Sequence, residues 1–222
     1  MSSWSQSTFV PPSHDPREWM VYVIDDDESM RLSLDALLRS NGLRVATFES
    51  AQEFLAHPKA PVPSCLILDV RLRGESGLAF QEYIARNGVH MPIVFVTGYG
   101  DIAMTVKAMK AGAVDFFSKP FRDQDMLDAV ASALARDSER LAADKATAVL
   151  RAGYDALTPR ERDVMRLVVT GMMNKQIAAQ LSVSEVTVKI HRGQVMRKMA
   201  ARSIAELVKK AQLLDLPAQS PE

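Results

Sequence analysis

Asp25 and Asp26 follow the apolar run Met20–Ile24, and Asp69 follows the apolar run Cys65–Leu68. Thr97 closes the run Ile93–Val96 with Gly98 behind it, and Lys119 stands just past Val114–Phe117 with Pro120 behind it. Each of these groups therefore lies at the end of a strand-like segment. If the segments are neighbours in a parallel sheet, the groups emerge together at one edge. Carboxylates so gathered repel one another, and they are tolerated mainly when a hard divalent cation with oxygen ligands neutralises them. That preference favours Mg²⁺ over metals that seek thiolate or imidazole. A carboxylate nucleophile beside such a cation, with a hydroxyl, a backbone N–H and an ammonium to hold phosphoryl oxygens, is equipped to move a phosphoryl group onto an aspartate. Asp69 is the expected nucleophile.

The elements that position these groups are legible from periodicity. Apolar runs at Met20–Ile24, Leu43–Phe48, Cys65–Leu68, Ile93–Val96 and Val114–Phe117 alternate with segments of helical length. Gly42 follows the first helical segment, and Ser50-x-x-Glu53 opens the second as a capping box. Five β units alternating with five α units predict an α/β fold, a flavodoxin-like (βα)5 domain with a parallel five-stranded sheet in the order 2-1-3-4-5. Ligands of such sheets bind beyond the carboxyl ends of the strands, at the point where strand order reverses. The first and third strands flank that point, so Asp25, Asp26 and Asp69 converge on it. Asp27 and Glu28 are read instead as cap and dipole partners of the first helix.

This domain is expected over residues 19–135, after a Ser/Pro-rich tail at 1–18 without helix or strand period. The fifth helix starts near Arg122 and meets no Gly or Pro through Arg151. Leu127, Leu134 and Leu141 recur every seven residues, but their companions Val130, Asp137 and Asp144 make a poor coiled-coil seam. A solvated linker helix over 136–153 is the expectation. Beyond Gly153, start signals at Thr158-Pro159-x-Glu161, Asn174, Ser184 and Ser203-x-x-Glu206 predict an all-α four-helix domain over 154–216, then a tail at 217–222.

Charge separates the two domains. The 222 residues carry no net charge, yet residues 1–150 hold 15 Lys/Arg against 20 Asp/Glu while residues 151–222 hold 12 against 7. A polyanion should therefore prefer the C-terminal part. The lone Cys65 cannot form an internal disulfide, and beside Leu66-Ile67-Leu68 it reads as a small buried residue. No apolar stretch approaches the roughly 20 residues of a membrane span, and no signal-peptide pattern opens the chain, so a cytoplasmic protein is expected.

Within the helical domain, Asn174–Leu181, the turn Ser182-Val183 and a helix opening at Ser184 have the lengths of a helix-turn-helix. Val188, Val195 and Met199 share one face and should pack inward. Lys189, Ile190, Gly193 and Arg197 then fall on or near the opposite face, the candidate reader of base edges. Lys189 suits a base or phosphate, Ile190 a thymine methyl, and Gly193 a close approach, while Thr187 and Asn174 could bind phosphates near helix N-termini. His191 and the methionines Met172, Met173, Met196 and Met199 are read as core filling.

Both halves resemble known families. Val-Ile-Asp25-Asp26-Asp27, Leu-Asp69-Val-Arg-Leu-Arg-Gly74, Val-Thr97-Gly98 and Lys119-Pro120-Phe121 resemble, in order and spacing, the motifs of receiver domains. Leu157–Arg162, Asn174-Lys-Gln-Ile-Ala-Ala and Ser184–Arg192 resemble the LuxR/NarL-type DNA-binding domain. Together they resemble a two-component response regulator of the FixJ/NarL type. The resemblance implies that Asp25, Asp26, Asp69 and the backbone carbonyl of Arg71 hold Mg²⁺, that Thr97 and Lys119 bind the phosphoryl group, and that Thr97 and Phe116 form the switch. It also implies a cis Lys119–Pro120 bond and adds Lys175 and Arg192 to the DNA-facing set. The implied partners are a sensor histidine kinase, promoter DNA, a second copy of the chain after phosphorylation, and RNA polymerase. The loop after Asp69 departs from the family, reading Leu72-Arg73-Gly74 where Met-Pro-Gly is usual. Two other readings are weaker. A turnover phosphatase of the haloacid dehalogenase type needs an aspartate where Arg71 stands, and a ligand-gated LuxR-type factor needs an apolar pocket in place of the carboxylate rim.

Overall fold

The computed structural model describes residues 18–98 and 102–214, which leaves most of the two tails outside the described residues. The chain divides into two compact units, one reaching to Leu141 and one beginning at Ala142.

The first unit holds a five-stranded parallel sheet of β1 (Met20–Ile24), β2 (Arg44–Phe48), β3 (Ser64–Asp69), β6 (Ile93–Thr97) and β7 (Asp115–Ser118), ordered β2-β1-β3-β6-β7. This is the expected order. The central strands β1, β3 and β6 are buried along their whole length, as strands covered on both faces must be. The outer β2 and β7 are partly exposed and are the less apolar runs. Alternate residues feed two cores. Tyr22, Leu66, Leu68 and Phe95 point to one face with Phe54, Phe80 and Ile84, whereas Val21, Ile67, Val94 and Val96 point to the other with Leu34, Leu38, Met126 and Val130. The helices are α1 (Glu28–Ser40), α2 (Ala51–Ala56), α3 (Gly77–Arg86), α4 (Ile102–Lys110) and α5 (Asp123–Asp155). Ser50 caps α2 by accepting from Glu53 N–H, but the Glu53 carboxylate reaches back to Glu49 N–H and not to Ser50.

Two features differ from the expectation. The loop after Asp69 contains a small hairpin, with β4 (Arg71–Leu72) antiparallel to β5 (Glu75–Ser76), and Gly74 takes φ +84° at its tip, a conformation glycine adopts without steric penalty. The fifth helix also stays with the first unit beyond residue 135. Asp137 is buried and accepts from Ser64 N–H at 2.8 Å and from Arg140 Nε at 2.9 Å, tying α5 to the start of β3. Residues 142–149 are largely exposed, as a spacer should be.

The second unit comprises the end of α5 with α6 (Pro159–Val169), α7 (Asn174–Leu181), α8 (Glu185–Lys198) and α9 (Ile204–Leu213). Thr158 and Glu161 form a reciprocal capping box, and Ser184 and Ser203 cap α8 and α9, each such cap contributing about 0.5–2 kcal/mol. Its core gathers Val164, Val168, Ile177, Val188, Val195 and Leu207, with Leu150 and Tyr154 of α5 packed against it. Met173 departs from the reading as core filling. It is exposed, because it occupies the cap position before α7, where the chain has not yet turned its side chains inward. Among the described residues no helix is long and apolar enough to cross a membrane.

Candidate phosphoacceptor site and nucleic-acid interface

Asp25, Asp26 and Asp69 each offer a carboxylate oxygen, and these oxygens lie within 4.8 Å of one another. Local bonding fixes each group. Asp25 accepts from Asp27 N–H at 2.9 Å, and its backbone carbonyl accepts from Arg31 at 2.7 Å. Asp69 accepts from Arg71 N–H at 2.8 Å through one oxygen. Asp27 caps α1 by accepting from Ser29 and Met30 N–H, which keeps it in the role of a cap.

Lys119 joins the cluster from the position just after β7. Its Nζ lies 2.7 Å from Asp25 Oδ2 and 2.7 Å from Asp69 Oδ2. Lys119 N–H donates to the Thr97 carbonyl at 2.7 Å, which fixes its backbone beside the end of β6. The Lys119–Pro120 bond is cis, as the resemblance implied. Burial raises the Asp25 carboxyl above the ordinary carboxylate range, and the Lys119 bond only partly offsets this. Burial alone would lower the Lys119 ammonium, but its bonds to Asp25 and Asp69 outweigh that and hold it above its usual value. One ammonium therefore serves two carboxylates and leaves excess negative charge. An all-oxygen donor set with a residual negative charge fits a hard divalent cation such as Mg²⁺.

Thr97 is fully buried at the end of β6, with exposed Gly98 after it. Phe116 is half-buried on β7, its ring 6.2 Å from that of Phe95. Arg71 is exposed two residues past Asp69. Two neighbours of the cluster had no functional reading in sequence. Arg73, at the hairpin tip, places Nε 3.3 Å from Asp26 Oδ2 and Nη1 3.7 Å from Glu49 Oε1. Gly77 opens α3 where a Cβ would stand 2.3 Å from the Asp69 carbonyl oxygen, so no side chain fits there. Cys65 is buried inside β3, and burial pushes its thiol far above the usual range, away from thiolate chemistry.

In the second unit Val188, Val195 and Met199 are buried, and Lys189, Ile190, Gly193 and Arg197 are exposed on the other side of α8. Val186 is exposed one turn before Ile190 and extends this stripe toward the helix N-terminus. Its helical spacing was the signal. Lys175 is exposed at the start of α7. Several members of the expected set are held by side-chain contacts. Arg192 donates to Asn174 Oδ1 at 2.7 Å, joining α8 to α7, while Thr187 Oγ1 lies 2.9 Å from Ser184 Oγ and Arg197 donates to Gln194. His191 is half-buried.

Comparison with known proteins places this geometry. Residues 21–131 match the response regulator receiver domain, and residues 155–211 match the bacterial regulatory proteins of the luxR family. The chain is 54% identical to nodulation protein W of Bradyrhizobium diazoefficiens over 91% of this chain and 89% of that one. It is 41% identical to the transcriptional regulatory protein FixJ of Azorhizobium caulinodans over 89% of this chain and 94% of that one. The solved structure of the response regulator StyR covers 87% of this chain and 98% of its own, with a TM-score of 0.81 and 45% identity.

Proposed function

The chain belongs to the FixJ/NarL-type response regulators, phosphorylation-dependent transcriptional regulators with a receiver and a LuxR-type DNA-binding domain, and from that premise we propose that Asp69 is its phosphoacceptor. The observation that carries this reading is the Lys119 ammonium shared at 2.7 Å between Asp25 and Asp69. The partner is a sensor histidine kinase. Asp69 Oδ attacks the phosphorus of the kinase phosphohistidine, the P–N bond breaks, and the imidazole leaves. Asp25, Asp26, Asp69 and the Arg71 carbonyl would hold Mg²⁺, which would neutralise charge on the phosphoryl oxygens. The Lys119 ammonium and the Thr97 hydroxyl bind those oxygens. The chain is modified once per cycle and turns over no substrate.

Phosphorylation adds charge where Lys119 and Thr97 meet. Thr97 drawn toward the phosphoryl group leaves room for Phe116 to repack, which alters the face of α4, β7 and α5. Ile102, Val106 and Met109 are exposed on α4 at i, i+4 and i+7, an apolar stripe suited to a second copy of the chain. Moving such an equilibrium from 1:99 to 99:1 takes about 5.5 kcal/mol. The receiver extends along α5 to Leu141, the exposed stretch 142–149 links it to the DNA-binding domain, and a dimer sets two α8 helices on half-sites about one helical turn apart. Lys189, Ile190, Gly193 and Arg197 face the major groove, Lys175 and Thr187 lie near phosphates, and Asn174 with Arg192 braces α7 against α8. A regulator that acts on promoter DNA works in the cytoplasm, with RNA polymerase as the further partner.

Mass spectrometry after treatment with acetyl phosphate and Mg²⁺ tests the assignment. An adduct of about 80 Da on Asp69, absent from Asp69→Asn, is expected. Equal incorporation by Asp69→Asn overturns it.

A further inference from the structure

Arg73 stands in the hairpin loop where proline is usual, and nothing in the phosphoryl chemistry above employs it. The hairpin gives it a fixed seat. Arg73 and Gly74 form the two-residue connection between β4 and β5, so the guanidinium is carried at the tip of a paired structure and projects over the acidic rim. There it meets Asp26 at 3.3 Å and Glu49 at 3.7 Å.

The three carboxylates are not equivalent. The side chains of Asp25 and Asp69 are 2% and 8% exposed and share Lys119, whereas that of Asp26 is 27% exposed and pairs with Arg73. Asp26 is thus the carboxylate through which a cation arriving from solvent first gains a ligand, and a protein cation already holds it. We propose that Arg73 is a built-in counter-ion of the metal site: it pairs with Asp26, and Mg²⁺ competes with it for that carboxylate, so that loading is an exchange of cations. Glu49 lies within reach of the released guanidinium and keeps it at the mouth of the site. Arg73 is a positioning residue that sets metal affinity, not a group that touches the reacting atoms. The proposal rests on the reading of the carboxylate cluster as a Mg²⁺ site.

Mg²⁺ titration calorimetry on the unphosphorylated full chain, at constant ionic strength, tests it without any phosphoryl donor. Arg73 is 77% exposed, so its replacement leaves the core untouched, and circular dichroism verifies the fold of each variant. Arg73→Ala is expected to bind Mg²⁺ up to about fivefold more tightly, the scale of one exposed ion pair, with Arg73→Lys nearer wild type. Asp26→Asn weakens binding, and adding Arg73→Ala to it brings no further gain, because the contested carboxylate is gone. Unchanged or weaker binding by Arg73→Ala overturns the proposal while leaving the metal site standing. A full gain that persists in the Asp26→Asn background also overturns it, since the effect then acts through the general field. A wild-type chain that takes up no Mg²⁺ overturns the metal reading, and this proposal with it.

Discussion

Replacing Gly77 by alanine perturbs the phosphoacceptor without touching any charged group. The added Cβ would stand 2.3 Å from the Asp69 carbonyl oxygen and 3.1 Å from Val70 Cα, both backbone atoms that cannot rotate aside. Gly77 N–H also donates to the Val70 carbonyl at 2.8 Å, which anchors the start of α3 to the loop it would have to leave. Restoring ordinary contact at 3.4 Å requires α3 or the Asp69–Val70 peptide to move by about 1 Å. Overpacking of this kind costs about 1–3 kcal/mol. A shift of about 1 Å at a reacting group lowers rates by about 10²-fold. Phosphorylation kinetics with acetyl phosphate, beside thermal melting, are the assay. A rate loss of ten- to a hundredfold is expected, with a melting temperature several degrees lower. Wild-type rate and melting temperature in Gly77→Ala would refute the reasoning, because they would mean that the Asp69 loop yields freely.

Gly153→Ala makes the same kind of clash in the second unit, where a Cβ would lie 2.8 Å from the Lys198 carbonyl at the end of α8. It should destabilise that unit by about 1–3 kcal/mol in denaturant unfolding. Glu161, buried, accepts from Lys198 at 2.7 Å and from Thr158 N–H, and the Lys198 bond foremost holds its carboxyl below the ordinary range. A depressed carboxyl contributes stability above its unfolded value of about 4.3, lost as pH falls through the lower folded value. Glu161→Gln should therefore destabilise the second unit at neutral pH, with the gap to wild type closing in melts at acid pH. Lys189→Ala should cost about 1–3 kcal/mol on the cognate operator and less on random DNA in binding titrations. Equal losses on both would make Lys189 a phosphate contact.

Much of the acidic site was legible because its groups terminate strands. Once β1, β3, β6 and β7 are recognised as parallel neighbours, Asp25, Asp26, Asp69, Thr97 and Lys119 are carried to one edge by topology alone. What escaped depends on tertiary proximity. Gly77 has no special backbone angle to mark it, only the nearness of the Asp69 carbonyl. Arg73 could be seen as a departure from the usual loop, but its pairing with Asp26 requires the hairpin. Asp137 sat in a spacer-like sequence, yet it is buried because an unpaired strand N–H at Ser64 needs an acceptor. On α8 the periodicity separated Val188 and Val195 from Lys189 and Ile190 correctly. It could not show that Arg192 is held by Asn174, a contact between two helices by residues 18 apart in sequence.

On the proposed function, a phosphoryl group on Asp69 converts the chain into a dimer that grips DNA. Sedimentation velocity of the full chain with beryllofluoride and Mg²⁺, run with and without operator DNA, addresses it most directly. A shift from monomer to dimer on adding beryllofluoride is expected, lost in Asp69→Asn, with tight operator binding over the same concentration range. A beryllofluoride form that stays monomeric while binding operator tightly would contradict it.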